Sequence, residues 1–144
     1  MPRQPGYPAT RYPPTALVDL SVRSERERLS PAALRAFFNI MTRWQVRDED
    51  ARALLGGVSN GPFYEMKKNP ERVLDPDRLL RISYVIGIFK ALNLLYSSTL
   101  ADAWMNRPNS NAIFAGQTPL AYLIAGGLPA MQVVRRLLDA RRAG

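Results

Sequence analysis

The sequence predicts an all-α protein, with an N-terminal helix-turn-helix unit joined by a long central helix to a small C-terminal helical unit. Three observations predict it. Apolar residues recur at helical spacing, as in Leu34, Phe37, Phe38 and Met41, which places them along one side of a helix. Helix starts and stops are sharply punctuated, by Ser30-Pro31 and Thr118-Pro119 on one hand and by Gly56-Gly57 and Gly126-Gly127 on the other. No segment alternates apolar and polar residues as a half-buried strand does, and no internal repeat is present.

Residues 1–29 read as an arm. The stretch "MPRQPGYPATRYPPTALVDL" holds five prolines, too many for a helix or a central strand. It reads as a solvated tail or as a segment that orders on a partner. The first helix is predicted from Ser30 as N-cap, with Pro31 at its first position. A second is predicted over Asp48–Leu55, with acids in the first turn and Gly56-Gly57 as its stop. A short turn follows, then a helix after Ser59 that ends before Pro70. Near Pro76 a longer helix begins, "PDRLLRISYVIGIFKALNLLYS", apolar around much of its circumference. Such a helix is expected between others, and its stripe is wide enough to offer a dimer surface as well, with Ile88 on it. Thr99–Asn106 is expected to turn Leu100, Ala103 and Trp104 to one face. Thr118 caps a short helix with Leu120, Leu123 and Ile124 inward, and Pro129 opens a last helix with the stripe Val133, Val134, Leu137 and Leu138.

Composition bounds the function. The chain has 144 residues, enough for one domain or two small units sharing a core, and 47% of them are hydrophobic. Its formal charge is +8, which suits an anionic partner. There is no cysteine and no histidine, so disulfides, the usual zinc sites and Ser-His-Asp or Cys-His catalysis cannot be built. Asp48, Glu49 and Asp50 stand at a helix start, where carboxylates complement the dipole, and no carboxylate pair sits in the apolar setting a general acid needs. The reading is a non-enzyme without metal or cofactor. With no signal core, and with Lys90 interrupting the longest apolar run, a cytoplasmic protein without a membrane span is expected.

Asp48–Asn69 has the spacing of a helix-turn-helix. If it binds DNA, Ser59, Asn60, Tyr64 and Lys67 face the major groove, with Lys68 and Arg72 on phosphates. Any two helices across a short turn share that spacing, so a purely structural pair fits as well. From Pro31 to Asp75 seven bases stand against six acids, a weak electrostatic footprint.

The stretch "NSNAIFAGQTPLAYLIAGG", residues 109–127, carries no reactive group yet is closely specified. Gly116 is expected to allow a turn that a side chain would block. Phe114 and Trp104 anchor that turn, and Pro119 with Gly126-Gly127 sets the length of a helix that aims the C-terminal tail.

From about Leu34 to Gly144 the chain resembles the Xre/MbcA/ParS antitoxins of toxin–antitoxin systems. The resemblance is carried by "LLRISYVIGIFKALNLLY", by Ala103-Trp104-Met105 with "RPNSNAIFAGQTPLAYLIAGG", and by "VVRRLLDARRAG". It implies an Xre-like helix-turn-helix over residues 30–75, a central helix over 76–98 and a toxin-binding domain over 99–144. It implies two partners, a RES-domain toxin that degrades NAD and the operator DNA of the chain's own operon, and assembly as a homodimer or a higher hetero-oligomer with the toxin. The toxin contacts expected from it are Asn109, Phe114, Gly116, Pro119, Leu120, Arg135, Leu138, Arg141, Arg142 and Gly144. Arg141, Arg142 and the terminal carboxylate of Gly144 would cover the NAD entrance, because guanidinium and carboxylate pair with polar groups that otherwise hold a dinucleotide.

Overall fold

The computed structural model describes residues 18–143; the greater part of the expected arm, residues 1–17, and Gly144 lie outside the described residues. Six α-helices and one 3-10 turn make up the regular structure, and no strand occurs among the described residues.

Helix α1 (Arg23–Arg43) starts well ahead of the expected Ser30, and Pro31 stands inside it. Ser30 is not a cap. It is fully buried, and its hydroxyl accepts a hydrogen bond from the Leu74 amide at 3.0 Å. The preceding turns are held by their own contacts: Arg23 pairs with Glu27 at 2.9 Å, and Arg26 donates to the carbonyls of Leu20, Ser21 and Leu74. Proline removes one backbone bond from the helix, but those tethers hold the flanking turns in place. Leu34, Phe37 and Met41 point into the core as their spacing requires, while Phe38 packs edge-on against Phe63 of the third helix.

Helix α2 (Asp48–Leu54) begins with its three acids. Helix α3 (Asn60–Lys68) buries Phe63 and Met66 and exposes the rest. Helix α4 (Pro76–Leu95) packs against α1 on one side and against the last helix, α6 (Pro119–Ala143), on the other. Much of the wide apolar stripe of α4 is consumed there, although Ile86 and Phe89 stay partly exposed and Leu94 is 55% exposed. Leu79, Ile82, Val85, Ile88 and Leu92 are all within 3% of full burial, so Ile88 is core and supplies no dimer seam.

Asp75 caps α4, its carboxylate accepting from the Arg78 amide at 3.2 Å, and Pro76 follows at the first position. Partial burial pushes the Asp75 carboxyl up, but the hydrogen bonds and charge of Arg78 outweigh it and hold the group below its ordinary value of 3.8. A carboxylate with a depressed native pKa stabilises the fold above its unfolded value, and that contribution is lost as pH falls through the native one. Asp75→Ala is therefore expected to cost about 1 kcal/mol at pH 7. The deficit relative to the parent chain should shrink in thermal melts taken well below pH 3.8.

Helix α5 (Ser98–Trp104) is capped by the Ser97 hydroxyl. Its inward face differs from the expected one. Ala101 and Met105 are buried, whereas Leu100 is 50% exposed and Trp104 is half-buried. After the 3-10 turn Ala112–Phe114, α6 begins with the Thr118 hydroxyl accepting from the Ala121 amide at 3.1 Å. The two C-terminal helices expected from the sequence meet within this span at Gly127, whose φ of 62° and ψ of −143° are outside the helical range. Only glycine adopts that conformation readily. The glycine pair thus ends the first helical segment, as expected, and turns the chain into the second. Arg81 of α4, bonded to Asp77 at 3.0 Å, lies beside both Gly127 and the Gly56 turn after α2.

Candidate partner-binding surfaces

Two surfaces carry the residues singled out from the sequence. On the first, Asn60, Tyr64 and Lys68 recur every fourth residue along α3 and so share a face. Each is exposed, Tyr64 by 52%. Ser59 stands exposed at the N-cap without capping through its side chain. The other two positions are turned toward the chain itself. The Lys67 ammonium pairs with Asp48 at 3.1 Å and lies over the rings of Phe38 and Phe63, clamping α3 to α2. Arg72 lies beyond α3, half-buried, with Nε donating to the Asn69 carbonyl at 3.1 Å.

The second surface is built by the end of α4, by α5, by the loop after it and by the end of α6. The loop is locally determined. The Asn109 side chain accepts from the Asn111 amide at 2.9 Å, and Asn111 in turn accepts from Ile113 at 3.1 Å. Phe114 is fully buried, edge-on to Trp104 at 5.9 Å and to Tyr122 at 5.3 Å. The turn then runs through Ala115 and Gly116 at φ 49° and 82°. A Cβ on Gly116 would meet nothing within 4 Å, so the glycine serves its backbone angle, the turn that the sequence suggested. The Leu120 amide donates to the Met105 carbonyl at 3.0 Å, closing the loop.

The ten expected toxin contacts fall into three groups. Phe114, Pro119, Leu120 and Leu138 are buried, so in this conformation they shape the surface from beneath. Arg135 is partly buried, crosses α4 at Gly87, and donates from Nε to both carboxylate oxygens of Asp139 at 3.2 and 3.0 Å. A Cβ at position 87 would stand 1.6 Å from an Arg135 nitrogen. Asn109 is half-buried, while Gly116, Arg141 and Arg142 are exposed. Arg141 donates to the Tyr96 hydroxyl at 3.2 Å, and Arg142 lies 3.6 Å from Asp139. The Gly144 contact lies outside the described residues.

Sequence reasoning missed a cavity of about 230 Å³ on this surface, walled by Tyr96, Leu100, Trp104, Arg107, Pro108 and Asn109. Its signal was ambiguous. Leu100 and Trp104 share a helical face, but so do Ala101 and Met105, and spacing alone does not choose which pair faces inward. A larger cavity of about 550 Å³ lies between α1 and α4, with Ile40, Ile86 and Phe89 in its walls and Arg43 and Lys90 beside them. No group of acids able to hold a metal ion occurs among the described residues, and none of their helices is long and apolar enough to cross a membrane.

Comparison with known proteins places this second surface in context. Residues 91–144 match the antitoxin Xre/MbcA/ParS C-terminal toxin-binding domain. An uncharacterized protein of Sinorhizobium fredii, y4oB, is 36% identical over 115 residues, which cover 79% of this chain and 87% of the relative. No solved structure matches.

Proposed function

The chain belongs to the Xre/MbcA/ParS antitoxins, and from that premise we propose that it neutralises a RES-domain, NAD-degrading toxin by laying the end of α6 over the toxin's active site. What carries this reading is the mounting of that end. Val134 and Leu138 are fully buried against the core, so the helix projects Arg141 and Arg142 from a rigid base rather than from a loose tail. A preorganised group loses little conformational freedom on binding. The guanidinium groups and the terminal carboxylate are suited to the polar groups that hold a dinucleotide. Toxin binding falls to residues 99–144 together with the end of α4, in a cytoplasmic complex that is a homodimer or a higher hetero-oligomer with the toxin.

Removing residues 140–144 tests it. Asp139 is kept because its carboxylate orients Arg135. The shortened chain is expected to fold and to leave cellular NAD unprotected when the toxin encoded by the neighbouring gene is expressed. Undiminished protection of the NAD pool would sink the proposal.

We infer a second role, repression of the antitoxin's own operon through residues 30–75. The exposed face of Asn60, Tyr64 and Lys68 supports it. Lys68→Ala is expected to weaken operator binding and to reduce the slope of log affinity against log salt by about 1. Lys67→Ala should also loosen α3 from α2, so it is the poorer probe. Operator binding that is absent, or insensitive to salt, would exclude this role.

A further inference from the structure

We propose that the cavity between Leu100 and Trp104 is the anchoring pocket of the toxin interface, receiving one large apolar side chain of the toxin with a carboxylate next to it. This rests on the antitoxin reading above and adds to it a second point of attachment, separate from the tail.

Size selects the occupant. The cavity holds about 230 Å³, whereas small-molecule and cofactor sites occupy roughly 300–1,000 Å³. It suits one leucine- or phenylalanine-sized group, the kind of anchor that fills a pocket at the centre of a protein interface. A single exposed leucine needs no explanation. Here Leu100 is 50% exposed and lines a concavity together with Trp104 and Pro108. The walls are also fixed before any partner arrives. Trp104 is held edge-on by the buried Phe114, Asn109 by the Asn111 amide, and Tyr96 by Arg141.

Charge selects the neighbour of that side chain. No acid lines the cavity. Arg107 is in its wall and makes no ion pair among the described residues. Asp102 of α5 is committed to Arg43, and Asp139 of α6 to Arg135 and Arg142. The rim therefore favours a carboxylate. All the lining residues also fall within the segment matched to the toxin-binding domain.

The test is calorimetric titration of the full chain with the RES-domain protein encoded beside its gene, inactivated so that it can be produced. Leu100→Glu is expected to weaken binding by about 30-fold or more, the effect of losing an interface hot spot. Leu100→Ser should weaken it in the same sense without adding charge, and Arg107→Glu by about tenfold. Since Leu100 is half exposed, the thermal midpoint of each variant should stay at the parent value. A folded Leu100→Glu chain that binds within twofold of the parent overturns the pocket. If that chain also inhibits normally while removal of residues 140–144 abolishes inhibition, the tail reading stands alone. A parent chain that fails to bind this protein overturns both. Retained toxin binding with operator affinity lost on Leu100→Glu would reassign the cavity to nucleic acid and equally overturn the proposal.

Discussion

The Ile88→Glu chain is expected not to fold. Ile88 is fully buried in the helix that lies between α1 and α6. The change loses an aliphatic core side chain, worth about 2–5 kcal/mol where large-to-small replacements have been measured. It also strands a carboxyl group among apolar neighbours. Whether that group stays ionised or is driven to its neutral form, the cost is several kcal/mol, since a shift of one pKa unit is about 1.4 kcal/mol and full burial shifts carboxyls by about 3–5 units. Total stability of a domain is about 5–15 kcal/mol, so the loss is comparable with the whole. Far-UV circular dichroism and size-exclusion light scattering decide it. A cooperatively melting variant, whether of unchanged or altered mass, would show that the α4 stripe is not the monomer core.

Phe114→Ala is expected to cost about 3–5 kcal/mol. The ring is fully buried and meets Trp104 and Tyr122 edge-on, arrangements worth about 0.5–1.5 kcal/mol each beyond area burial. Beneath it the chain passes through two successive positive φ angles, at Ala115 and Gly116. Without the ring nothing comparable holds the turn to the core. Denaturant melts should show the lowered midpoint, and hydrogen exchange should show lost protection of the Gln117 amide, which donates to the Phe114 carbonyl at 2.8 Å. A loss below about 1 kcal/mol would mean that the loop is held by its asparagine side chains alone.

Helices α2, α3 and α4 were legible in the sequence because their ends are written in local chemistry: acids or proline in the first turn, with Gly56-Gly57 past α2 and Pro70 past α3. The start of α1 was not. Ser30-Pro31 carries a local start signal, but a buried bond from Leu74 to the serine hydroxyl and the Arg26 contacts with distant carbonyls overrule it, and no local pattern announces contacts across that separation. The wide stripe on α4 was read correctly as apolar, and Ile88 on it wrongly as open to a second subunit. Sequence shows how much of a helix is apolar, and only the fold shows how much of that its neighbours cover. On the C-terminal surface the punctuation of the asparagine loop was visible, including the role of Phe114. The cavity beside it was not, since its walls come from the end of α4, from α5 and from the loop, and depend on which of two apolar pairs on α5 turns inward.

The crossing of Arg135 over Gly87 decides what a methyl at position 87 would disturb. A glycine inside a helix costs about 0.5–1 kcal/mol relative to alanine, so the helix itself would favour the replacement. Here an added methyl would occupy the place of the guanidinium. Arginine at 135 is flexible enough to leave, but its alignment on Asp139 would go with it. A methyl at 87 is therefore expected to displace the Arg135 tip rather than to unfold the chain, so its cost falls on how the end of α6 is presented and not on whether the helices form.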